Sequence, residues 1–538
     1  MLLNYFVQQF LFKIIGVVLG VLWLPLSALH LVAPNWEGVA TYREMAGIMA
    51  KGAFYEPGCK KCNPYFLPGD AQFAAQAGAC WTLGFAGINL TRELHGEIEA
   101  GRYNVAGYSH IATTGVMDDM FVRAVYLDDN TGRGGILYAV IDCVGISDTD
   151  ANKVRALVWN WAQEAGIKSI QIAATHAHSC IDTIGLWADL PFDGKDAEFQ
   201  QHMIEQTARA LRDAYDARQN GKLFLADTDI SEMLYDSRGP EVFDPMLTRL
   251  RFAPTDSGKP EVYLLCMGCH PELAGPGNAV ISADFPAYAI GYIEEQKNAE
   301  AMFIQGGIGG LISVRDLEDV LEAVRQGDTG YGLSLIEDCG MDVGKYALGE
   351  LGALSAEIEL PALLNIASGE FELPVENIAL VCSLKMGIIN HGVYTKPFRG
   401  YAVTAELSYL RLGLLDDPDR SVDILVFPGE LSPEIALGGF MGKEESALGK
   451  AYPRGAIFAC LDEHGFASNH RILFGKANNF LGYIIPENDF VLDPLLPYFN
   501  IGSDRNGKAH YEESVSPGPQ AAKVFTEGFR ALFEQVAG

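Results

Sequence analysis

The stretch that most constrains this chain is Ile170-Gln-Ile-Ala-Ala-Thr-His-Ala-His-Ser179. It follows a segment with helical spacing. A short β-branched apolar run, Ile170 to Ala174, then stops abruptly in a polar cluster, which reads as a buried strand ending in a turn. At its end stand His176 and His178, separated by one residue. In extended backbone, residues i and i+2 share a face. Two imidazoles on one face at a strand end make the start of a zinc site or an acid–base pair. The plainer reading is equally open: two polar histidines that cap a strand and face solvent.

The rest of the chain sets this strand in an α/β pattern. Leu83–Leu90, Met120–Leu127 and Gly135–Asp142 read as strands, the last two joined by the turn Asp128-Asp-Asn-Thr-Gly132. Residues 148–166 carry Val154, Leu157, Val158 and Trp161 at helical spacing, with an acidic start and a glycine stop. A second helix is expected over 197–218 and a terminal one after Pro519. Strands alternating with helices, together with hairpins, predict an α/β (α+β) fold with a mixed β-sheet core flanked by helices.

At 538 residues the chain has room for two to four domains or one large elaborated one, and 49% hydrophobic content is globular. A formal net charge of −30 argues against nucleic acid as a partner and against an anionic membrane gripped through a basic face. Ten cysteines are too sparse for a disulfide scaffold. Cys59 and Cys62, in a Pro-flanked loop, form either a local disulfide or a redox pair. Residues 14–32 carry no formal charge, and nineteen residues at ~1.5 Å each roughly span a ~30 Å hydrocarbon core. A signal peptide cleaved after Leu31-Val-Ala33 is one reading. The length of the apolar run favours an uncleaved anchor, with Lys13 holding the N-terminus inside. The expected organisation is an N-terminal transmembrane anchor (1–33), a Pro/Gly/Lys-rich connector (34–75) and an extracytoplasmic domain (76–538).

Further strand ends carry polar groups. Val262-Tyr-Leu-Leu-Cys-Met-Gly-Cys-His-Pro-Glu272 ends in His270 and also spells Cys266-x-x-Cys269-His270, the attachment pattern of c-type haem. A buried strand would put the two thiols on opposite faces, which counts against haem. Residues 303–313 are glycine-rich, without a Walker lysine, and the chain has no G-x-S-x-G elbow. Val422 to Leu431 ends in Glu430; Tyr483 follows the strand Arg471 to Phe474; and Tyr511 lies in a polar loop before the terminal helix. Polar strand ends that meet at one sheet edge are the usual geometry of an α/β active site.

In this order, Thr175-His-Ala-His-Ser179, His270-Pro271, Ser282-Ala-Asp284, Pro428-Gly-Glu430, Asn478 to Tyr483 and Tyr511-Glu512 with Gly518-Pro519 resemble the motifs of the neutral (non-lysosomal, alkaline) ceramidases. The resemblance covers about residues 81–520. It implies a Zn²⁺ site from His176, His270, Glu430 and Tyr483. It further implies catalytic roles for His178 and for Arg238 of Ser237-Arg-Gly-Pro240, and a substrate contact from Tyr511. The chain departs from the pattern at Gly309-Gly-Leu-Ile-Ser313, where the family's aspartate is Gly310 and its serine is displaced by one place. The family's C-terminal β-sandwich has no counterpart in the roughly twenty residues after Pro519.

Three functions follow as expectations. The first is a membrane-anchored zinc amidohydrolase acting on a lipid amide. The second is a ceramidase-like domain without activity, kept for structure or assembly with a protein partner or in an oligomer. The third is a haem protein.

Overall fold

The computed structural model describes residues 14, 17–25, 37–54, 63–189, 191–239, 241–396, 400–439 and 442–537. Two β-sheets pack face to face and helices cover both outer surfaces. The larger, nine-stranded sheet contains β1 (Trp81–Asn89), β2 (Phe121–Asp128), β3 (Ile136–Ile141), β4 (Ser169–Ala174), β5 (Gln219–Asp229), β6 (Met246–Pro254), β7 (Val262–Met267), β8 (Glu300–Gln305) and β9 (Ile358–Leu360). Its order is β8-β7-β6-β5-β1-β2-β3-β4, with β9 paired to β5. β3 with β4 and β7 with β8 are parallel; the other pairs are antiparallel. The second sheet runs β10 (Leu364–Val375), β11 (Gly400–Gly413), β12 (Ser421–Val426) and β13 (Arg471–Phe474), with a short strand Tyr394–Lys396 on β11 and a parallel β12–β13 pair.

The mixed core flanked by helices is thus present, and it is a double sheet. Leu83, Val125, Tyr138 and Val140 of the first sheet share one apolar layer with Ile366, Leu410, Ile424 and Phe474 of the second. A layer enclosed in this way makes strands buried on both faces, and every residue of β3, β4, β7 and β12 is buried. The outer face of the first sheet is closed by Asp148–Glu164 and Ala197–Asp216 at one end, and by Phe285–Lys297 and Leu333–Leu348 at the other. Phe199, Met203, Leu211 and Ala214 form the buried stripe of Ala197–Asp216, and Asp196 caps it by accepting from the Glu198 and Phe199 amides. The terminal helix Ala521–Ala537 covers the second sheet with Phe525, Phe529 and Phe533.

The described parts of the stretch expected to be a connector make packing contacts. Helix Glu37–Phe54 lies against helix Ile378–Met386, and a Cβ on Gly52 would come within 2.6 Å of Met386 Cγ. Downstream, the Asp70 amide donates to the Ile366 carbonyl at 2.6 Å. Cys59 and Cys62 lie outside the described residues, as do residues 15, 16 and 26–32. Among the described residues no helix is long and apolar enough to cross a membrane.

Candidate active site

The three parallel strand pairs bring their C-terminal ends together. His176 follows β4, His270 follows β7 and Glu430 follows β12. Glu430–Leu431 and Tyr483–Ile484 then form a short parallel pair that sets Glu430 beside Tyr483. His176 Nε2 lies 3.5 Å from Glu430 Oε1, His270 Nε2 3.3 Å from Glu430 Oε2, and His178 Nε2 3.3 Å from His176 Nε2. The three imidazoles offer ligand atoms within 4.8 Å of one another.

The histidines do not converge by strand alternation. β4 ends at Ala174, and His176 is left-handed at φ 68°. Leu311, Lys476 and Asn478 around the site also have positive φ. Such backbone costs about 1–3 kcal/mol per non-glycine residue and persists where surrounding structure enforces it. Hydrogen bonds supply that enforcement: the His176 amide bonds the Cys143 carbonyl and the His178 amide the Pro271 carbonyl, at 3.0 and 2.9 Å.

The donor chemistry fits a cation. His176 Nδ1 bonds the Val144 carbonyl at 2.6 Å and His270 Nδ1 the Ile312 carbonyl at 2.8 Å. With Nδ1–H donated, each Nε2 presents a lone pair inward, the arrangement found in ligating histidines. Those lone pairs face one another and the oxygens of Glu430, one of which accepts from the Lys476 ammonium, so the cluster offers a donor set that could hold a metal ion. Burial, then the Lys476 charge, lowers His176 to about 4; burial, then His176, lowers His178 to about 3. Burial would raise Glu430, but Lys476 and the histidines hold it well below the usual carboxylate range. His270 is also opposed by burial, yet Glu430 pulls it upward.

Lys476 also belongs to the site, although no motif marks it. It is 1% exposed, and its Nζ donates to Glu430 Oε1 at 3.0 Å. The hint was its place directly after β13, in an apolar strand-to-turn junction. Glu272, two residues beyond His270, is a further site residue. It accepts from Tyr108 at 2.7 Å and from Ser313, and it faces His178 Nδ1 at 3.6 Å.

The other expected residues fall in two places. Tyr483 is buried, and its hydroxyl is 3.2 Å from that of Tyr511, whose side chain is 44% exposed at the rim. Arg238, expected to act in catalysis, directs its side-chain hydrogen bonds to Asp489 and Glu513 and none to the histidines. It also pairs with Glu512 at 3.0 Å, and so pins the loop that carries Tyr511. At Gly310, a Cβ would lie 2.5 Å from Asp236 Oδ2, so Asp236 fills the space a side chain there would need. Ser282 Oγ bonds Asp118, and Asp284 caps helix Phe285–Lys297 through the Phe285 amide; both are structural contacts. Cys266 and Cys269 pack into different apolar clusters, so they share no edge for a porphyrin.

A two-sheet α/β protein with a histidine–carboxylate cluster at its strand ends is therefore the class that fold and site define. The fold is that of neutral ceramidase. The structure of neutral ceramidase from Pseudomonas aeruginosa superposes with a TM-score of 0.59 at 16% identity, over 85% of this chain and 75% of that one. A ceramidase structure described as complexed with C2 gives 0.60 at 14% identity, over 85% and 76%. No protein-family profile and no curated protein sequence matches the chain.

Proposed function

We propose that this protein is a zinc-dependent amidohydrolase that cleaves the N-acyl bond of ceramide or a related lipid amide. The observation that carries the reading is the convergence of His176, His270 and Glu430 acceptor atoms at the strand ends of a ceramidase fold. Two imidazoles and a carboxylate, joined on the resemblance by Tyr483, suit Zn²⁺ with a position left open. When bound, the ion supplies a Lewis acid and a water of pKa near ~7.

The chain's own residues divide the remaining work. His178 is held neutral by burial. In the tautomer that turns Nδ1–H toward Glu272, its Nε2 takes a proton from the attacking water. The resulting N–H then faces the developing oxyanion and the departing amine. Tyr108 and Ser313 fix Glu272, and through it the imidazole. Tyr511 meets substrate at the rim. Residues 17–25 are helical and expose Val17, Val21, Leu22 and Leu24, which supports a reading in which the N-terminal segment anchors an extracytoplasmic domain at the membrane that holds its substrate.

Metal content and lipid-amide hydrolysis of the purified full chain test this reading. About one zinc per chain, and turnover lost in His176→Ala and in Glu430→Gln, are expected. Unchanged zinc and turnover in both variants would overturn it. A second reading, a ceramidase-like structural or assembly protein, is favoured by the Lys476 ammonium on Glu430, which satisfies the carboxylate without metal. Amide turnover that vanishes in Glu430→Gln excludes it.

A further inference from the structure

Asp489, Glu512 and Glu513 close around Arg238, at 3.0 Å each. All four are buried, the three carboxylates at 8%, 2% and 2% exposure. Three carboxylates against one guanidinium leave two negative charges in excess. Burial pushes the neighbouring carboxyls of Asp236 and Glu434 up to about 6 and about 8, so Glu434 is mostly neutral near pH 7 and the excess rests on the three carboxylates themselves. Lys508 is exposed to solvent and directs its ammonium to the Ser237 and Arg238 carbonyls rather than to these carboxylates. Buried charge without a counter-charge costs several kcal/mol per ion.

His510 stands in this cluster at 2% exposure. One of its ring nitrogens and one oxygen each from Glu512 and Glu513 lie within 4.8 Å of one another. Neither ring nitrogen has a hydrogen-bond partner, nor does Glu512 Oε2. The nearest further group is Asp504 Oδ2, 3.6 Å from His510 Nε2. A divalent cation with bonds of about 2.0–2.5 Å tolerates ligand atoms up to ~5 Å apart.

We propose that His510, Glu512 and Glu513 form a second divalent-cation site, distinct from the histidine cluster. One imidazole among carboxylates suits Mn²⁺ and its neighbours, since soft thiolate is absent and oxygen predominates. The cation offsets the excess charge and satisfies the orphaned nitrogen. Because Tyr511 lies between two of its ligands, it also fixes the tyrosine that meets Tyr483, so occupancy governs the rim of the candidate active site. The proposal stands independently of the hydrolase reading.

The test is titration of the full chain with Mn²⁺ alone, followed by calorimetry and electron paramagnetic resonance. A His176→Ala/Glu430→Gln variant, crippled at the histidine cluster, is expected to keep one Mn²⁺ per chain. Adding Glu512→Gln, isosteric but one charge poorer, is expected to remove it. No Mn²⁺ on the folded His176→Ala/Glu430→Gln chain, or binding indifferent to Glu512→Gln, would overturn the site; the charge excess would then be met by protons on His510 and the carboxylates. If these variants fail to fold, anomalous diffraction from Mn²⁺-soaked wild-type crystals decides: a peak bonded to His510 and Glu512 supports the site, and its absence overturns it.

Discussion

Glu430 and Glu512 are both 2% exposed, yet they stand in opposite electrostatic surroundings. Around Glu430 the chain supplies its own counter-charge, Lys476, and three imidazoles of which His176 and His178 are held neutral. Around Glu512 it supplies one guanidinium for three carboxylates. The difference teaches that buried carboxylates need not announce the same thing. In the first cluster Glu430 has its counter-charge in Lys476, so on the proposed function a bound cation would add positive charge that a reaction can use. The second carries a formal excess of negative charge, so a cation bound there would stabilise the loop.

The largest effect expected is that of Arg238→Met. Removing the one cation among three carboxylates should cost at least ~3–5 kcal/mol, read by urea unfolding of the metal-free chain. A cost under ~1 kcal/mol would show that these carboxylates are already protonated, and the contrast would collapse. Lys476→Met should cost less, about 3 kcal/mol, because Glu430 keeps its histidines. Added Zn²⁺ should recover part of that loss. Equal stability of Lys476→Met and wild type without metal would mean that the ammonium does not balance Glu430.

Acid should separate the clusters next. The lowered pKa values of His176 and His178 mean that the folded state refuses protons which the unfolded chain takes up below ~6.5. Stability of the metal-free chain is therefore complete above that pH and falls toward pH 4, by up to ~1.4 kcal/mol per pH unit for each group. His270, raised by Glu430, works in the opposite sense: its contribution fades as pH rises, which offsets part of the slope. His176→Asn should flatten the acid limb; an unaltered limb would assign it to other groups. The smallest effect is expected for Tyr511→Phe, about 1 kcal/mol for the hydroxyl pair with Tyr483, measured by thermal melting.

Much of this architecture was legible in advance. β4, β7, β12 and β13 are apolar runs with abrupt polar ends, so the strands and the polar residues after β4, β7 and β12 could be read directly. The division into two sheets could not, because strands of both are buried on two faces and look alike in sequence. The resemblance joined His176, His270 and Glu430 into one ligand set, and the structure brings them together. Lys476 was overlooked because lysine is almost never fully buried unless paired, and its partner lies 46 positions earlier. Arg238 could be picked out as unusual, but its partners, Asp489, Glu512 and Glu513, come from segments about 250–275 residues away. Spacing in sequence carries no trace of such contacts. The convergence of His176 and His178 was expected from extended backbone and is achieved by a left-handed turn.

The three strand tips that meet at the histidine cluster belong to widely separated parts of the chain. No segment that stops short of residue 430 or begins after residue 176 contains His176, His270 and Glu430 together. An unfolded or partly synthesised chain can present at most a local His176–His178 pair, because closing the longer loops has no compensating contacts until both sheets have stacked. A cation held by all three groups therefore binds only the finished protein, and its free energy is added wholly to the native side, about 4 kcal/mol at a thousandfold excess over its dissociation constant. On the proposed function, occupancy would thus act as a certificate of completed assembly: chains that fail to stack their sheets would remain empty.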